Sequence, residues 1–173
     1  MSLFLYTGSI MTYINEKYLE LFQSNWSEAI RTAKRLNSSL LRLESNFPLT
    51  ELTLVNADED LLDKLDAFRV RYSDLQDCIG NKLFRGLLKL EDENIFSMPD
   101  ILNAIEKREI FTSSHQWKII REVRNAFSHD YPEREQEKIE ALNLAFKIAP
   151  QLLTILTHLQ KYMGRYQITL ETI

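Results

Sequence analysis

Residues 61–90 read LLDKLDAFRVRYSDLQDCIGNKLFRGLLKL, and their spacing decides the fold class. Leu61, Leu65, Phe68, Tyr72, Leu75 and Ile79 alternate intervals of four and three, and Leu83, Leu87 and Leu90 carry the stripe on. At 3.6 residues per turn such positions share one side, so the pattern predicts a long helix from about Ala57 to Glu91 with a single buried seam. Gly80 and Gly86 fall inside it. Each weakens a helix by up to ~1 kcal/mol relative to Ala, so a bend or a close approach is expected there.

Working outward toward the N-terminus, a helix is expected over about Thr12 to Gln23. Ser24 or Asn25 would cap a second from about Trp26 to Glu44, with Ala29, Ile30, Ala33, Leu36, Leu40 and Leu43 on its apolar side. Asn46, Phe47 and Pro48 mark a break. On the other side, Asp92 to Ser97 ends the long helix, and Ser97 caps a short one over Pro99 to Lys107 with Pro at its permitted early position. Ser113 or Ser114 opens the next, whose apolar side is Trp117, Ile120, Val123 and Phe127. Pro132 closes that segment and biases Tyr131 away from the α region. The last helix begins near Glu133, with Leu142, Ala145, Ala149, Leu152, Leu156, Leu159 and Met163 in three–four alternation. Pro150 predicts a kink or a break into two helices. Gly164 is a natural stop, and Arg165 to Ile173 reads equally as a short strand or an ordered arm.

Long helices with short connections pack antiparallel, so the sequence predicts an all-α antiparallel helical bundle forming one domain over residues 1–173. Met11 offers a second start, which leaves residues 1–11 open as a disordered extension. The composition agrees with a globular helical chain: 173 residues, 45% hydrophobic and 27% charged, with only 4 Gly and 4 Pro for turns. The one cysteine, Cys78, has no partner for an internal disulfide and no zinc spacing around it, which points to a reducing cytoplasm. A formal charge of −4 argues against coating nucleic acid by bulk electrostatics, but allows a local basic site. The first ten residues make a poor signal peptide, and no stretch reads as apolar for the ~18 residues needed to span a bilayer.

The chemistry concentrates in Arg121-Glu122-Val123-Arg124-Asn125-Ala126-Phe127-Ser128-His129-Asp130-Tyr131-Pro132. A permanent cation, an amide, an imidazole and a phenol fall within eight residues from Arg124 to Tyr131. In an unbroken helix Arg124 and His129 would lie about 140° apart, so they converge only if the helix ends or distorts between them. An imidazole that moves protons near neutrality, beside a guanidinium, suits phosphodiester cleavage. His129 would act on the ribose 2′-OH or the leaving oxygen, and Arg124 would hold the phosphate, with no metal and no cofactor required. The competing reading of an Arg and a His five apart is a solvated helix end.

The run RNAFSHDY, as R-N-x-x-x-H-x-Y, resembles the signature of HEPN domains, and Trp117 to Val123 resembles the helix that carries it there. The tyrosine two residues beyond the histidine resembles the toxin branch paired with minimal nucleotidyltransferase (MNT) antitoxins. That resemblance implies a HEPN-like bundle, a homodimer whose two motifs meet in one cleft, and metal-independent RNA cleavage silenced by adenylylation of the tyrosine. Carried over, Arg124 and His129 would be catalytic, Asn125 would orient the motif and Tyr131 would accept AMP; the partners would be RNA and an MNT antitoxin, and no membrane. The chain departs from the smallest members of that branch in its extra N-terminal region and C-terminal arm. The alternative within the resemblance is a non-catalytic companion, or nucleotide-binding accessory, of a nucleotidyltransferase.

Outside the motif, Asp77 is the best candidate to position Arg124 or His129 from the long helix, while Arg71 and Asp74 either reach the motif helix or pair with each other. His115 reads as a capping or surface residue, His158 as structural or exposed, Cys78 as a small buried hydrophobe, and Trp26 and Trp117 as packing anchors. Arg31, Lys34, Arg35 and Arg42 make the second helix basic, a solvated face or a phosphate contact.

Overall fold

The computed structural model describes residues 3–7, 10–94, 97–128 and 135–173. The seam of residues 61–90 does form continuous helix, in three parts: α3 (Glu59–Asp77), a π-helical turn (Cys78–Leu83) and α4 (Phe84–Leu90). Leu65, Phe68, Tyr72, Leu75, Ile79, Leu83, Leu87 and Leu90 are buried along it, and Leu61 packs against the core from its edge. Both glycines mark close approaches. A Cβ on Gly80 would stand 2.8 Å from Cζ2 of Trp117, and one on Gly86 would stand 3.1 Å from Cδ2 of Phe22.

The first half departs from expectation. A single helix, α1 (Leu19–Leu43), replaces the two expected over Thr12–Gln23 and Trp26–Glu44. Ser24 and Asn25 do not cap, because Phe22, Trp26, Ala29, Ile30, Ala33 and Leu36 form one buried stripe straight through them. Tertiary burial outweighs a local cap worth ~1 kcal/mol. Before α1, the backbone of β1 (Leu3–Thr7) pairs antiparallel with β2 (Ile10–Ile14), so the segment left open as a disordered extension forms a hairpin. Ile14 is buried, and the Asn15 N–H donates to the Leu90 carbonyl at 2.7 Å. After α1, the short α2 (Glu51–Val55) is opened by a Thr50–Thr53 capping box.

The remaining helices are α5 (Met98–Lys107), α6 (Ser114–Ala126) and α7 (Glu135–Met163). Ser97 and Ser113 cap α5 and α6, as their position before the apolar runs predicts. Cross-helix contacts set the directions. Arg71 meets Ser39, Cys78 meets Asn25 and Gly86 meets Phe22, so α3–α4 runs antiparallel to α1. Gly80 faces Trp117 and Arg69 faces Phe127, so α6 runs antiparallel to α3. Gln116 binds Gln151 and the Ile110 carbonyl lies beside His158, so α7 returns antiparallel to α6. The fold is all-α, with the hairpin as an appendage.

α7 crosses Pro150 as one helix rather than breaking into two. Pro150 is on the exposed side, while Leu142, Ala145 and Ala149 before it and Leu152, Leu156 and Leu159 after it are buried in the same core. Packing on both sides holds the helix through the missing N–H. By length and composition α7 is also apolar enough to cross a membrane, contrary to the reading of the bare sequence. Here its seam forms part of the core. The helix ends at Met163, but the left-handed residue is Gln167, φ 57°, not Gly164.

The C-terminal segment is an ordered arm rather than a strand. Tyr166 and Leu170 are buried, and the Glu171 carbonyl accepts from Trp26 Nε1 at 2.9 Å. Glu91 binds the ends of three helices together. It accepts from Tyr162 Oη at 2.6 Å, from Tyr166 Oη, and from Arg108 Nε at 2.7 Å.

Candidate functional site

The site is built where α6 crosses the π turn. Burial of Trp117, Ile120 and Val123 fixes the rotation of α6. Arg121 and Arg124 follow Trp117 at intervals of four and three, so they line the same border with α3. On α3, Asp77 is the last α-helical residue before the π turn, in which the Phe84 N–H reaches back to the Ile79 carbonyl. Such turns re-aim the residues around them and recur at functional sites. This one holds the side-chain-free face of Gly80 against the Trp117 ring.

Arg124 is half-buried. Its Nη2 and Nε donate to Asp77 Oδ2 at 2.7 and 3.1 Å, and its Nη1 donates to Ser128 Oγ at 3.1 Å. A guanidinium has five N–H donors, so three are engaged and, among the described residues, two have no partner. Asp77 and Arg124 are thus brought together across 47 residues of chain. Asn125 is exposed beside them on the rim of a cavity of about 220 Å³ that Gln76, Asp77, Gly80, Trp117, Arg121 and Arg124 also line. Among the described residues Arg121 has no ion pair and projects its charge at the cavity mouth.

α6 stops at Ala126, between Arg124 and position 129, which is the condition for a guanidinium and an imidazole five residues apart to converge. His129, Tyr131 and Pro132 lie outside the described residues. The stop itself is anchored. Arg69 Nη2 donates to the Phe127 carbonyl at 3.0 Å, with its guanidinium 5.7 Å over the Phe127 ring. Tyr72 packs edge-on to the same ring at 5.7 Å and donates through Oη to the Ile120 carbonyl at 3.1 Å. Burial pushes the Tyr72 phenol well above its ordinary range, so it stays a neutral donor.

Arg71 turns away from the motif, donating to Ser39 Oγ at 2.6 Å, and Asp74 is exposed beside Arg35 and Thr32. Neither reaches α6. His115 is exposed on the first turn of α6. His158 is exposed too, with Nδ1 3.2 Å from the Ile110 carbonyl. Cys78 is buried, and burial followed by the nearby Glu28 carboxylate pushes its thiol up to about 11. Lys34 pairs with Glu171 on the basic helix. Three neighbours of the site were not singled out from sequence. Arg121 could have been, since it stands three residues before Arg124; Arg69 and Gln76 have no local signal. Among the described residues no three His, Cys, Asp or Glu side chains gather to hold a metal ion.

Compared with protein-family models, curated proteins and solved structures, the chain gives no match.

Proposed function

We propose that the chain is a HEPN-type endoribonuclease acting without metal, the toxin of a HEPN/MNT toxin–antitoxin pair. The observation that carries this reading is the held Arg124. Asp77 and Ser128 orient its guanidinium, two of its donors have no partner among the described residues, and α6 ends before position 129. In this reading those two donors of Arg124 take a non-bridging phosphate oxygen and offset the negative charge that grows on the phosphorane. His129 takes the proton from the ribose 2′-OH as the 2′-oxygen bonds to phosphorus. The bond to the 5′-oxygen breaks, and that oxygen leaves with a proton taken from water. The products are a 2′,3′-cyclic phosphate and a 5′-hydroxyl.

One Arg and one His make a sparse site, so the proposal includes a two-fold homodimer that places two motifs in one cleft. Asn125 orients the motif, Tyr131 is the residue an MNT partner adenylylates, and the setting is cytoplasmic. These assignments are supported by the resemblance of the Arg124–Tyr131 segment. The test is incubation of purified protein with single-stranded RNA in excess EDTA. Cleavage leaving 2′,3′-cyclic phosphate ends is the expected result. Intact RNA across varied sequences would remove the nuclease and leave the non-catalytic companion of a nucleotidyltransferase.

A further inference from the structure

Gln76 lies in the wall of the cavity beside Arg124 and is 4% exposed. Its Oε1 is buried and has no hydrogen-bond partner among the described residues. It is the one such side-chain atom found among them. A buried acceptor left unpaired is destabilising, and in a packed helix an apolar side chain of equal size would avoid the loss. The amide is therefore better explained by something that enters the cavity and donates to it. Gly80, one turn further on, lies against the Trp117 ring; Gln76 Nε2 stands on that side, 3.5 Å from where a Cβ would be, and a half-turn of the amide exchanges it with Oε1.

The size and lining of the cavity restrict the entrant. Its volume, about 220 Å³, is below the ~300–1,000 Å³ of pockets that enclose a drug-sized molecule, so it admits one ring system and not a whole nucleotide. Of its lining, Trp117 and Gln76 are buried, while Arg121 is exposed and Arg124, paired with Asp77, is half-buried; the two cations stand a helical turn apart. A mainly polar lining, with one buried ring and one buried amide, Asp77 and Asn81 beside them and two cations at the edge, matches the hydrogen-bonding edge of a base with its sugar and phosphates outside. A glutamine amide can accept from an N–H on a base edge while its NH₂ donates to the neighbouring ring nitrogen or carbonyl.

We propose that this cavity receives one unpaired base of the RNA strand whose phosphate Arg124 holds, and that Gln76 reads an N–H donor on that base. The inference deepens the nuclease reading and rests on it. It makes the substrate single-stranded, because only an unstacked base can turn into the cavity. Arg121 takes a phosphate adjoining the one on Arg124.

The experiment uses the full chain carrying His129→Ala, which binds RNA without cutting it, and single-stranded RNA pentamers with an abasic ribose placed at each position in turn. Anisotropy of labelled pentamers gives the affinities, without divalent metal. The expected result is a loss of about tenfold or more at one abasic position only. Gln76→Leu in the same background removes that loss while its thermal midpoint holds or rises; Gln76→Met serves if the Leu variant does not fold. An abasic loss that persists undiminished in the folded Gln76 variant, or no position-specific loss in the parent, overturns the proposal. Wild-type protein cutting the intact pentamers separates the two readings. Cutting without any abasic effect overturns the base pocket alone. A Gln76-dependent abasic loss without cutting supports the pocket and overturns the nuclease.

Discussion

Arg124 gives both Nε and Nη2 to a single oxygen, Oδ2 of Asp77, so one carboxylate fixes the plane of the guanidinium while leaving part of it open. The two side chains are about a third exposed, 32% and 39%. Pairs of that exposure contribute roughly 0–1 kcal/mol to stability, so the contact matters for orientation more than for folding.

Asp77→Ala is therefore expected to leave the thermal midpoint nearly unchanged and to slow RNA cleavage by ~10–100-fold, the scale of a misplaced catalytic group. Asp77→Asn, which keeps one acceptor oxygen, should recover part of the rate. Circular dichroism melts and initial cleavage rates decide it. A large drop in the melting midpoint with unchanged cleavage would make Asp77 a structural residue only.

Arg124→Ala and His129→Ala are expected to lower cleavage by ~10²–10⁴-fold each, with helical content intact. The Arg124 change does not open the core, since that side chain is about a third exposed near the end of α6. If His129→Ala cut RNA at the parent rate, its assignment as the proton-transfer residue would have to be dropped.

What the sequence made legible follows from what is local. The seam from Leu61 to Leu90 and the Ser97 and Ser113 caps depend on neighbours within a turn, and the spacing records them. Ser24, Asn25 and Pro150 misled because their local preferences are small beside the burial of Trp26, Ile30, Ala149 and Leu152 around them. Asp77 was a candidate only through its place on the long helix. Arg69 and Gln76 were invisible, since a contact with Phe127, 58 residues away, or an unpaired amide beside a tryptophan leaves no periodic mark.

In the proposed toxin reading, Tyr131 is the point of control. In that reading, AMP attached to its phenol adds a negative phosphodiester that competes with RNA phosphate for Arg124. Incubation with the cognate nucleotidyltransferase and ATP should add AMP mass to the peptide containing Tyr131 and stop cleavage, and Tyr131→Phe should escape both. Full inhibition of the Phe variant would point instead to blocking by protein contact.

Gly80→Ala tests the close approach that shapes the site. Alanine ordinarily favours a helix by ~1 kcal/mol over glycine, but here its Cβ would meet the buried Trp117 ring at 2.8 Å. Forcing an extra carbon into a packed core costs about 1–3 kcal/mol, so the net effect should be destabilising. Gly164→Ala is the control, with nothing within 4 Å of its added carbon, and should be neutral or slightly stabilising. Urea unfolding of the two variants that ranked Gly80→Ala at or above the parent would show that Trp117 can move aside.

The protein should lose stability as solution turns alkaline, and the order of loss can be derived. Burial pushes the Cys78 thiol from an ordinary value of 9.0 up to about 11. The Tyr72, Tyr162 and Tyr166 phenols are also held above 10.0, first by burial and, for the last two, by their bonds to Glu91. Above those ordinary values the unfolded chain releases protons that the native state retains, so unfolding is favoured increasingly as pH rises. Below pH 9 both states keep these protons and the groups contribute no slope. The first decline belongs to Cys78, between about pH 9 and 11, and the phenols add theirs from about pH 10 upward. Urea midpoints of the parent should therefore hold steady up to about pH 8.5 and fall beyond it. Cys78→Ala should begin lower because of the cavity it leaves, yet fall less steeply between about pH 9 and 10. Parallel declines in parent and variant over that interval would show that the thiol opens to water before it ionises, and would remove Cys78 from the account.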